Sequence, residues 1–296
     1  MDKFPISVIL PVYKNYEVFL KYLEINKKYF SGCEVIVMND YPGENISLKV
    51  KKIMPSAIVI NNKKNLGFAG NVNSGVERST RNFILLINSD VILKDQSFLN
   101  CLEYFKKDRK LFAVGFAQIE KDGTIVGSNR GYFNNGLINH SHKQISNFKH
   151  PISNFWAEGG SSLFNKKIFL ELGMLDNLFN PFYWEDVDLS YRAWKSGYQI
   201  LYDQNILVEH HHKSTIKKYF DKKRILKIAF RNQIIFQWKN LTDGDLIQKH
   251  ILNIPRFIFI PGFFAALIIL PDILHAREKT LKLFVKTDRE VLEKFS

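Results

Sequence analysis

Short apolar runs alternate with helically spaced segments in the first third of the chain. "ISVILPVY" (Ile6 to Tyr13) and "CEVIVMND" (Cys33 to Asp40) are continuous β-branched runs of strand length, each ending in polar or turn residues. That pattern predicts strands buried on both faces of a parallel sheet. The intervening "NYEVFLKYLEINKKYF" places Val18, Tyr22 and Ile25 at helical spacing, so the first forty residues predict a βαβ unit. "AIVINN" is a third strand, Asn65 to Arg78 a glycine-rich turn running into a helix, and "NFILLINSD" a fourth strand with a polar end. Ligands of open α/β sheets bind outside the carboxyl ends of the strands. Those ends carry Tyr13, Asp40 and Asn88 to Asp90, so a ligand cleft is expected there.

Past Gly115 the strict alternation fades. Glu158 to Leu175 predicts a glycine turn, a short strand and a helix, followed by the acidic stretch "YWEDVDLSYR" (Tyr183 to Arg192). Beyond His212 the texture changes to a basic helical segment and then to "RFIFIPGFFAALIILPDIL". A boundary is therefore expected near 215, between an α/β domain (1–215) and a basic, apolar, helical C-terminal region (216–296). The 296 residues, 46% of them apolar, suffice for one large domain or a domain with a sizeable appendage.

Charge adds a partner class. Lys and Arg outnumber Asp and Glu by 42 to 29, and a net +13 points to an anionic partner. Lys213 to Lys239 alone holds nine basic residues against one acid, Asp221. The two cysteines, Cys33 and Cys101, lack CxxC spacing, which implies neither a disulfide framework nor a zinc site and fits a reducing cytoplasm. The opening "MDKFPISVILPVY" shows no secretory pattern and reads as folded structure.

Several stretches carry candidate chemistry. Asp90 closes a hydrophobic strand, where a hard divalent cation could be held by a carboxylate and ligand phosphates; the plainer reading of Asn-Ser-Asp is a turn. "NLGFAGNVNSG" lacks both G-x-G-x-x-G and the Walker lysine, and tight helix entry explains it equally well. Glu185, Asp186 and Asp188 suit a helix N-terminus, where the backbone dipole favours negative charge. Asp188 with Arg192 is an i,i+4 pair of the kind that props up a solvated face, beside an apolar stripe of Val187, Tyr191 and Trp194. Glu185 and Asp186 also follow the bulky "NPFYW", an aromatic wall that would shield a carboxylate and make it a useful base. In "VEHHHKS", a strand directs neighbouring rings to opposite sides, so at most one or two of His210, His211 and His212 can serve one site.

Taken in order, "SVILPVYKN", "EVIVMND", "NLGFAGNVNSG", "LLINSDV", "EGGSSLFNKKIFLELGMLDNLFNPFYWEDVDLSYRAWKSGYQI" and "VEHHHKS" resemble glycosyltransferase family two over about residues 5 to 240, in particular its bacterial rhamnosyl- and galactosyltransferase branch. The resemblance implies an α/β GT-A nucleotide-diphospho-sugar transferase fold, with a Rossmann-like, mostly parallel sheet, and an inverting, metal-dependent hexosyl or deoxyhexosyl transfer in bacterial surface polysaccharide synthesis. "NSD" takes the place of the family's metal-binding Asp-x-Asp, so Asp90 is implied as the ligand joining a donor diphosphate to Mg²⁺ or Mn²⁺. Asn88 stands where many members have Asp. In "MND", either Asn39 or Asp40 is implied to touch base or ribose. Pro11, Tyr13, Asn65 and Gly67 fall where the family wraps the nucleoside, and Glu158, Gly159 and Gly160 at the floor of the sugar pocket. Asp186 is implied as the catalytic base, with Trp184 and Glu185 lining the acceptor side. His210 matches the histidine that some members add to the metal shell, which leaves His211 and His212 structural or acceptor-facing.

Two enzymatic rivals and one binding rival are weaker. A sugar-1-phosphate nucleotidyltransferase needs an N-terminal glycine-rich loop where this chain has "LPVYKNY". A processive synthase needs Gln-x-x-Arg-Trp and several spans, so addition of one or a few sugars is favoured. A nucleic-acid binder would use the basic segment, but no recognisable motif supports it and no nucleic-acid partner is expected. The expected partners are a UDP- or dTDP-linked sugar and a saccharide or polyprenyl-linked acceptor. Phe257 to Pro271, the longest uncharged run, is too short to span a bilayer. Its cationic flanks instead predict an interfacial anchor on an anionic membrane, at the inner face of the cell membrane.

Overall fold

The computed structural model of the protein describes residues 3–142, 150–210 and 218–295. Four parallel strands lie in the order β3 (Ile58–Asn61), β2 (Glu34–Asn39), β1 (Ile6–Val12), β4 (Phe83–Ile87). All residues of β1 and β2 are buried, as their unbroken apolar runs require. The connecting helices are α1 (Tyr16–Asn26), α2 (Ser47–Ile53) and α3 (Gly67–Arg78). The buried face of α1 is Phe19, Tyr22, Leu23 and Asn26, with Ile25 outward, one step away from the stripe that apolar spacing alone suggests. Asn26 is drawn inside because its amide completes the main chain of β5 (Val91–Leu93), donating to Val91 O and accepting from Leu93 N, both at 2.9 Å.

Beyond β4 the sheet turns mixed. After α4 (Cys101–Lys107) come β6 (Leu111–Ile119), the short β7 (Ile125–Val126), the hairpin β8 (Asn129–Asn134) and β9 (Leu137–His142), β10 (Ile152–Ser153), β11 (Ser161–Asn165), α5 (Lys166–Glu171), α6 (Glu185–Lys195) and β12 (Gln199–His210). β11 inserts antiparallel between β4 and β6, β12 lies parallel to β6, and β8–β9 forms a separate two-stranded sheet. The predicted parallel half, the turn–strand–helix at 158–175 and the helix after Trp184 are all present.

Among the described residues the α-helices α7 (Lys222–Asn240), α8 (Gly244–Phe257), α9 (Phe263–Ile268), α10 (Leu270–Leu281) and α11 (Asp288–Leu292) follow. The boundary expected near 215 falls at 211–217, outside the described residues. On its far side the helices share a core with the sheet domain: Phe236 of α7 packs 5.1 Å from the Trp184 ring and 5.2 Å from Tyr191. The apolar run breaks between α9 and α10 at Ile269, and Pro271 occupies the first turn of α10, where its missing N–H costs nothing.

The acidic stretch is organised by Asp188. It is fully buried, not on a solvated face, and accepts from Arg192 Nε at 2.8 Å, Lys239 Nζ at 2.9 Å and Asn240 Nδ2 at 2.8 Å. Lys239 also pairs with Asp176 at 2.6 Å, and Arg192 donates to the carbonyls of Leu172 and Met174. Burial opposes ionisation of Asp188, but Lys239 and Arg192 outweigh it and hold the carboxyl below its usual range.

Asp188→Ala leaves two buried cations without their shared partner and should lower stability by about 3–5 kcal/mol in denaturant titrations at pH 7. Because the folded-state pKa is depressed, that contribution is present at neutral pH and fades as pH falls below about 4, so the wild-type and variant curves should converge in acid.

Candidate functional site

The carboxyl ends of β1, β2 and β4 surround a cavity of about 430 Å³. Pro11, Val12 and Tyr13 line it from β1, Asp40 from β2, Asn65, Gly67, Phe68 and Asn71 from the start of α3, and Asn88, Ser89 and Asp90 from β4. His210 lines it beside Asp90, and Pro181 with the rings of Phe182, Tyr183 and Phe220 completes the lining.

Local geometry explains these placements. Asp40 Oδ1 accepts from Leu66 N and Asn62 Nδ2, both at 2.9 Å, which ties the end of β2 to the entry of α3. Burial raises its pKa against those hydrogen bonds. Asn39, by contrast, does not line the cavity. Its side chain is spent on Tyr16, Asn61 and the carbonyl of Glu44 beneath the sheet end. The glycine-rich turn is a helix entry: Gly67 has φ +74°, and a Cβ there would sit 2.3 Å from Asn180 Oδ1, so the turn can press against the 180–181 loop only as glycine.

Antiparallel pairing of His210 with Val91 brings the imidazole beside Asp90, with Nε2 3.4 Å from Asp90 Oδ1. Gln118 of β6 orients it. Gln118 Nε2 donates to Glu158, which turns Gln118 Oε1 to His210 Nδ1 at 2.5 Å. Nδ1 therefore carries a proton and Nε2 is presented to the carboxylate. Burial works against an imidazolium there, but the bond to Asp90 and the charges of Asp90, Glu158 and Glu120 prevail and raise the pKa.

A divalent cation fits this pair. One carboxylate and one imidazole nitrogen converge at the cavity, leaving the remaining positions to phosphate oxygens and water, as is usual for Mg²⁺ or Mn²⁺ bound with a nucleotide. Among the described residues no cluster of three or more His, Cys, Asp or Glu forms a self-sufficient metal cage. His211 and His212 lie outside the described residues.

Asp186 flanks the cavity without lining it. Gly159 N–H donates to Asp186 Oδ2 at 3.1 Å, and Gly159 packs against Phe68, which does line it. Gly160 is close enough to Asn88 that a Cβ would meet the amide at 2.3 Å, so 158–160 forms the wall between Asn88 and Asp186. Burial, helped by the charge of Glu158 and opposed by the N–H groups of Gly159 and Val187, lifts the Asp186 carboxyl to about 6. Glu185 beside it is 7% exposed with Oε2 unpartnered, and burial followed by the charge of Asp186 pushes it well above the carboxylate range. Tyr183 and Trp184 both adopt left-handed φ, 73° and 75°, costing on the order of 1–3 kcal/mol each. Asn232 Nδ2 of α7 holds this segment, 2.7–2.9 Å from the carbonyls of Phe179, Phe182 and Tyr183.

Of the residues singled out from sequence, Pro11, Tyr13, Asp40, Asn65, Gly67, Asn88, Asp90 and His210 line one cavity. Glu158, Gly159, Gly160, Trp184, Glu185 and Asp186 cluster along its flank, and only Asn39 is turned away. Gln118 and Asn232 are not recognisable from sequence, since their neighbours are fixed by strand register and helix docking.

The sequence pattern described as glycosyl transferase family 2 matches residues 7–173. Poly-beta-1,6-N-acetyl-D-glucosamine synthases of Staphylococcus aureus strains COL and N315 are 25% identical over 175 residues, 57% of this chain and 40% of theirs. The chain thus matches less than half the length of these relatives. GalNAc-T7 with UDP, GalNAc and Mn²⁺ superimposes with a TM-score of 0.71 at 14% identity, covering 97% of this chain and 56% of that one. A mannosyltransferase from Pyrobaculum calidifontis, in complex with GDP-Man and Mn²⁺, gives 0.58 at 12% identity over 94% and 74%. S. aureus TarS gives 0.52 at 14% identity over 98% and 90%. The fold is the mixed α/β GT-A architecture.

The Asp186 environment predicts a carboxyl that titrates near pH 6 in the folded protein. NMR of carboxyl ¹³C-labelled aspartate, assigned with Asp186→Asn, should show that midpoint; a midpoint near the ordinary value for aspartate contradicts the burial argument.

Proposed function

The chain belongs to glycosyl transferase family 2, and from that premise we propose that it is an inverting glycosyltransferase, moving a hexose or deoxyhexose from a UDP- or dTDP-linked donor to a hydroxyl of a saccharide or polyprenyl-linked saccharide in bacterial surface polysaccharide synthesis. The observation that carries this reading is the division of the site. The cavity has Asp40 at one end and Asp90 with His210 at its base, while a carboxylate of raised pKa, Asp186, stands across the glycine wall.

Nucleoside and diphosphate fit the cavity, the base and ribose between Tyr13 and Asp40 and the phosphates toward Asp90. Asp90 and His210 would hold a divalent cation, which supplies charge neutralisation for the departing diphosphate. The Mn²⁺ in two of the superimposed structures supports this choice. Asp186 takes the proton of the acceptor hydroxyl as its oxygen attacks the anomeric carbon from the side opposite the diphosphate, which inverts that centre. With a pKa of about 6, Asp186 is mostly ionised at neutral pH yet basic enough to accept that proton. Trp184 and Glu185 sit on the acceptor side of the same turn.

We further propose that the protein works at the inner face of the cell membrane without crossing it. No helix among the described residues is long and apolar enough to span a bilayer. α8, the α8–α9 corner and α9 instead expose Leu252, Phe259, Phe264 and Ile268, the most open of them 82% exposed. Gly262 seats this corner on the main chain of α7 at Lys227 and Arg231, and Lys227 is exposed there, so an apolar surface adjoins a cation as an anionic lipid surface requires.

The primary experiment is a donor screen with UDP-, dTDP- and GDP-sugars plus Mn²⁺, reading slow hydrolysis and nucleotide-dependent thermal stabilisation; no response to any donor overturns the reading. With the active donor, Asp186→Asn should lower transfer about a hundredfold or more while donor affinity changes little. Asp90→Ala should weaken donor binding itself, and EDTA should reproduce that loss in the wild type. Transfer by the wild type should rise with pH through about 6, since the base works only when ionised.

The membrane reading is tested by flotation with vesicles containing anionic lipid. Binding should weaken with salt and be lost in Phe259→Asp/Phe264→Asp, which leaves the core untouched; binding equal to wild type in that variant contradicts the assigned surface.

A further inference from the structure

The hairpin β8–β9 lies off the main sheet, yet it is held from two sides. Its two-residue Asn135–Gly136 turn has both φ values positive, 51° and 80°, the geometry that keeps hairpin strands in register. The Gln237 side chain of α7 pairs with the main chain of Ile138 as a strand would, accepting from its N–H and donating to its carbonyl, each at 3.0 Å. Gln233 adds a bond to the same carbonyl at 3.2 Å, and His250 of α8 reaches Gly136 O at 2.8 Å. Such bonding fixes a surface hairpin far more firmly than its own six-residue strands do.

What it fixes is a row of rings against Trp184, two residues before Asp186, and near Glu158, the neighbour of the Gly159 amide that donates to Asp186. Ile138 is buried in the core, and two and four residues on, the same strand face carries His140 and His142, both exposed. The His140 ring lies 4.7 Å from Trp156 and 4.9 Å from Trp184, and His142 lies 5.4 Å from Trp156. His142 Nδ1 is 2.8 Å from Asn129 Oδ1 and 3.8 Å from Glu158 Oε1, and Glu158 adjoins the Gly159 amide that holds Asp186.

We propose that His140 and His142, set on the indoles of Trp156 and Trp184, form the subsite for the acceptor's neutral pyranose ring. Exposed aromatic rings meet the apolar face of a sugar, while imidazole nitrogens and the Glu158 carboxylate meet its hydroxyls. Part of the His140 ring stays open, but desolvation where it packs on Trp156 and Trp184, and then His142, lower its pKa to about 4, so at neutral pH it offers one donor and one acceptor rather than a cation. This subsite rests on the transferase reading above and extends it from the donor cavity to the second substrate.

The test separates the two. Saturation-transfer NMR is recorded on the full-length protein with methyl hexosides and methyl N-acetylhexosaminides as probes, with Mn²⁺ omitted to avoid relaxation, Mg²⁺ added, and UDP, dTDP or GDP present. At least one pyranoside should bind the wild type. His140→Ala and His142→Ala should each weaken it by about tenfold, with nucleotide affinity, slow donor hydrolysis and melting temperature unchanged. His140→Phe, which keeps the ring, should recover most of the binding. Loss of sugar binding together with nucleotide binding would mark these residues as structural and overturn the subsite. So would sugar binding that is insensitive to all three substitutions, or a wild type that binds nucleotide but no pyranoside. If the wild type binds no nucleotide at all, the transferase reading fails, and the subsite with it.

Discussion

The buried carboxylate of Asp188 is the interaction on which the Asp186 flank of the cavity depends. It gathers Arg192 from its own helix and Lys239 and Asn240 from α7. Through Lys239 and Arg192 it also reaches Asp176 and the carbonyls of Leu172 and Met174. One anion thus fixes three chain segments, and α6 cannot turn or slide without leaving buried charges unpaired. Asp186 lies half a turn before Asp188 on that helix, so its position relative to the glycine wall is set by a group that never meets the ligand.

The parts of this arrangement that could be read in the sequence are those governed by local rules. Continuous apolar runs gave strands at β1, β2 and β4, and the rule that ligands gather at the carboxyl ends of such strands led to Tyr13, Asp40 and Asp90. The family resemblance supplied Asp186 and His210. Long-range pairings stayed hidden. Gln118 reads as an ordinary polar residue in a strand until the parallel register of β6 with β12 sets it opposite Val208 and near His210. Asp188–Arg192 has the spacing of a solvated helix pair, and only the docking of Lys239 from fifty residues away makes it interior. Asn39 and Asp40 are equivalent as letters, but strand alternation sends one beneath the sheet end and the other into the cavity.

The C-terminal helices change meaning in the same way. Composition marks 213–239 as a block of positive charge, yet Lys239 is buried against two aspartates and Arg231 donates to Asn232 and to the carbonyl of Asn180. Part of the basic excess is therefore structural, and the charge turned outward is smaller than the count. α7 also presents buried amides: Asn232 restrains the left-handed Tyr183–Trp184 turn, and Gln237 restrains the hairpin. The two restraints act on neighbouring walls of one groove, since His140 of the hairpin contacts Trp184 of the turn. A nucleotide-binding sheet needs neither. Under the proposed function, a site that aligns a second substrate with Asp186 needs both, because the strained turn relaxes unless something outside it fixes its carbonyls. That requirement explains why α7 is packed into the core of the sheet domain and not attached beside it, and why its polar residues face inward at the positions where an appendage would bury only apolar ones.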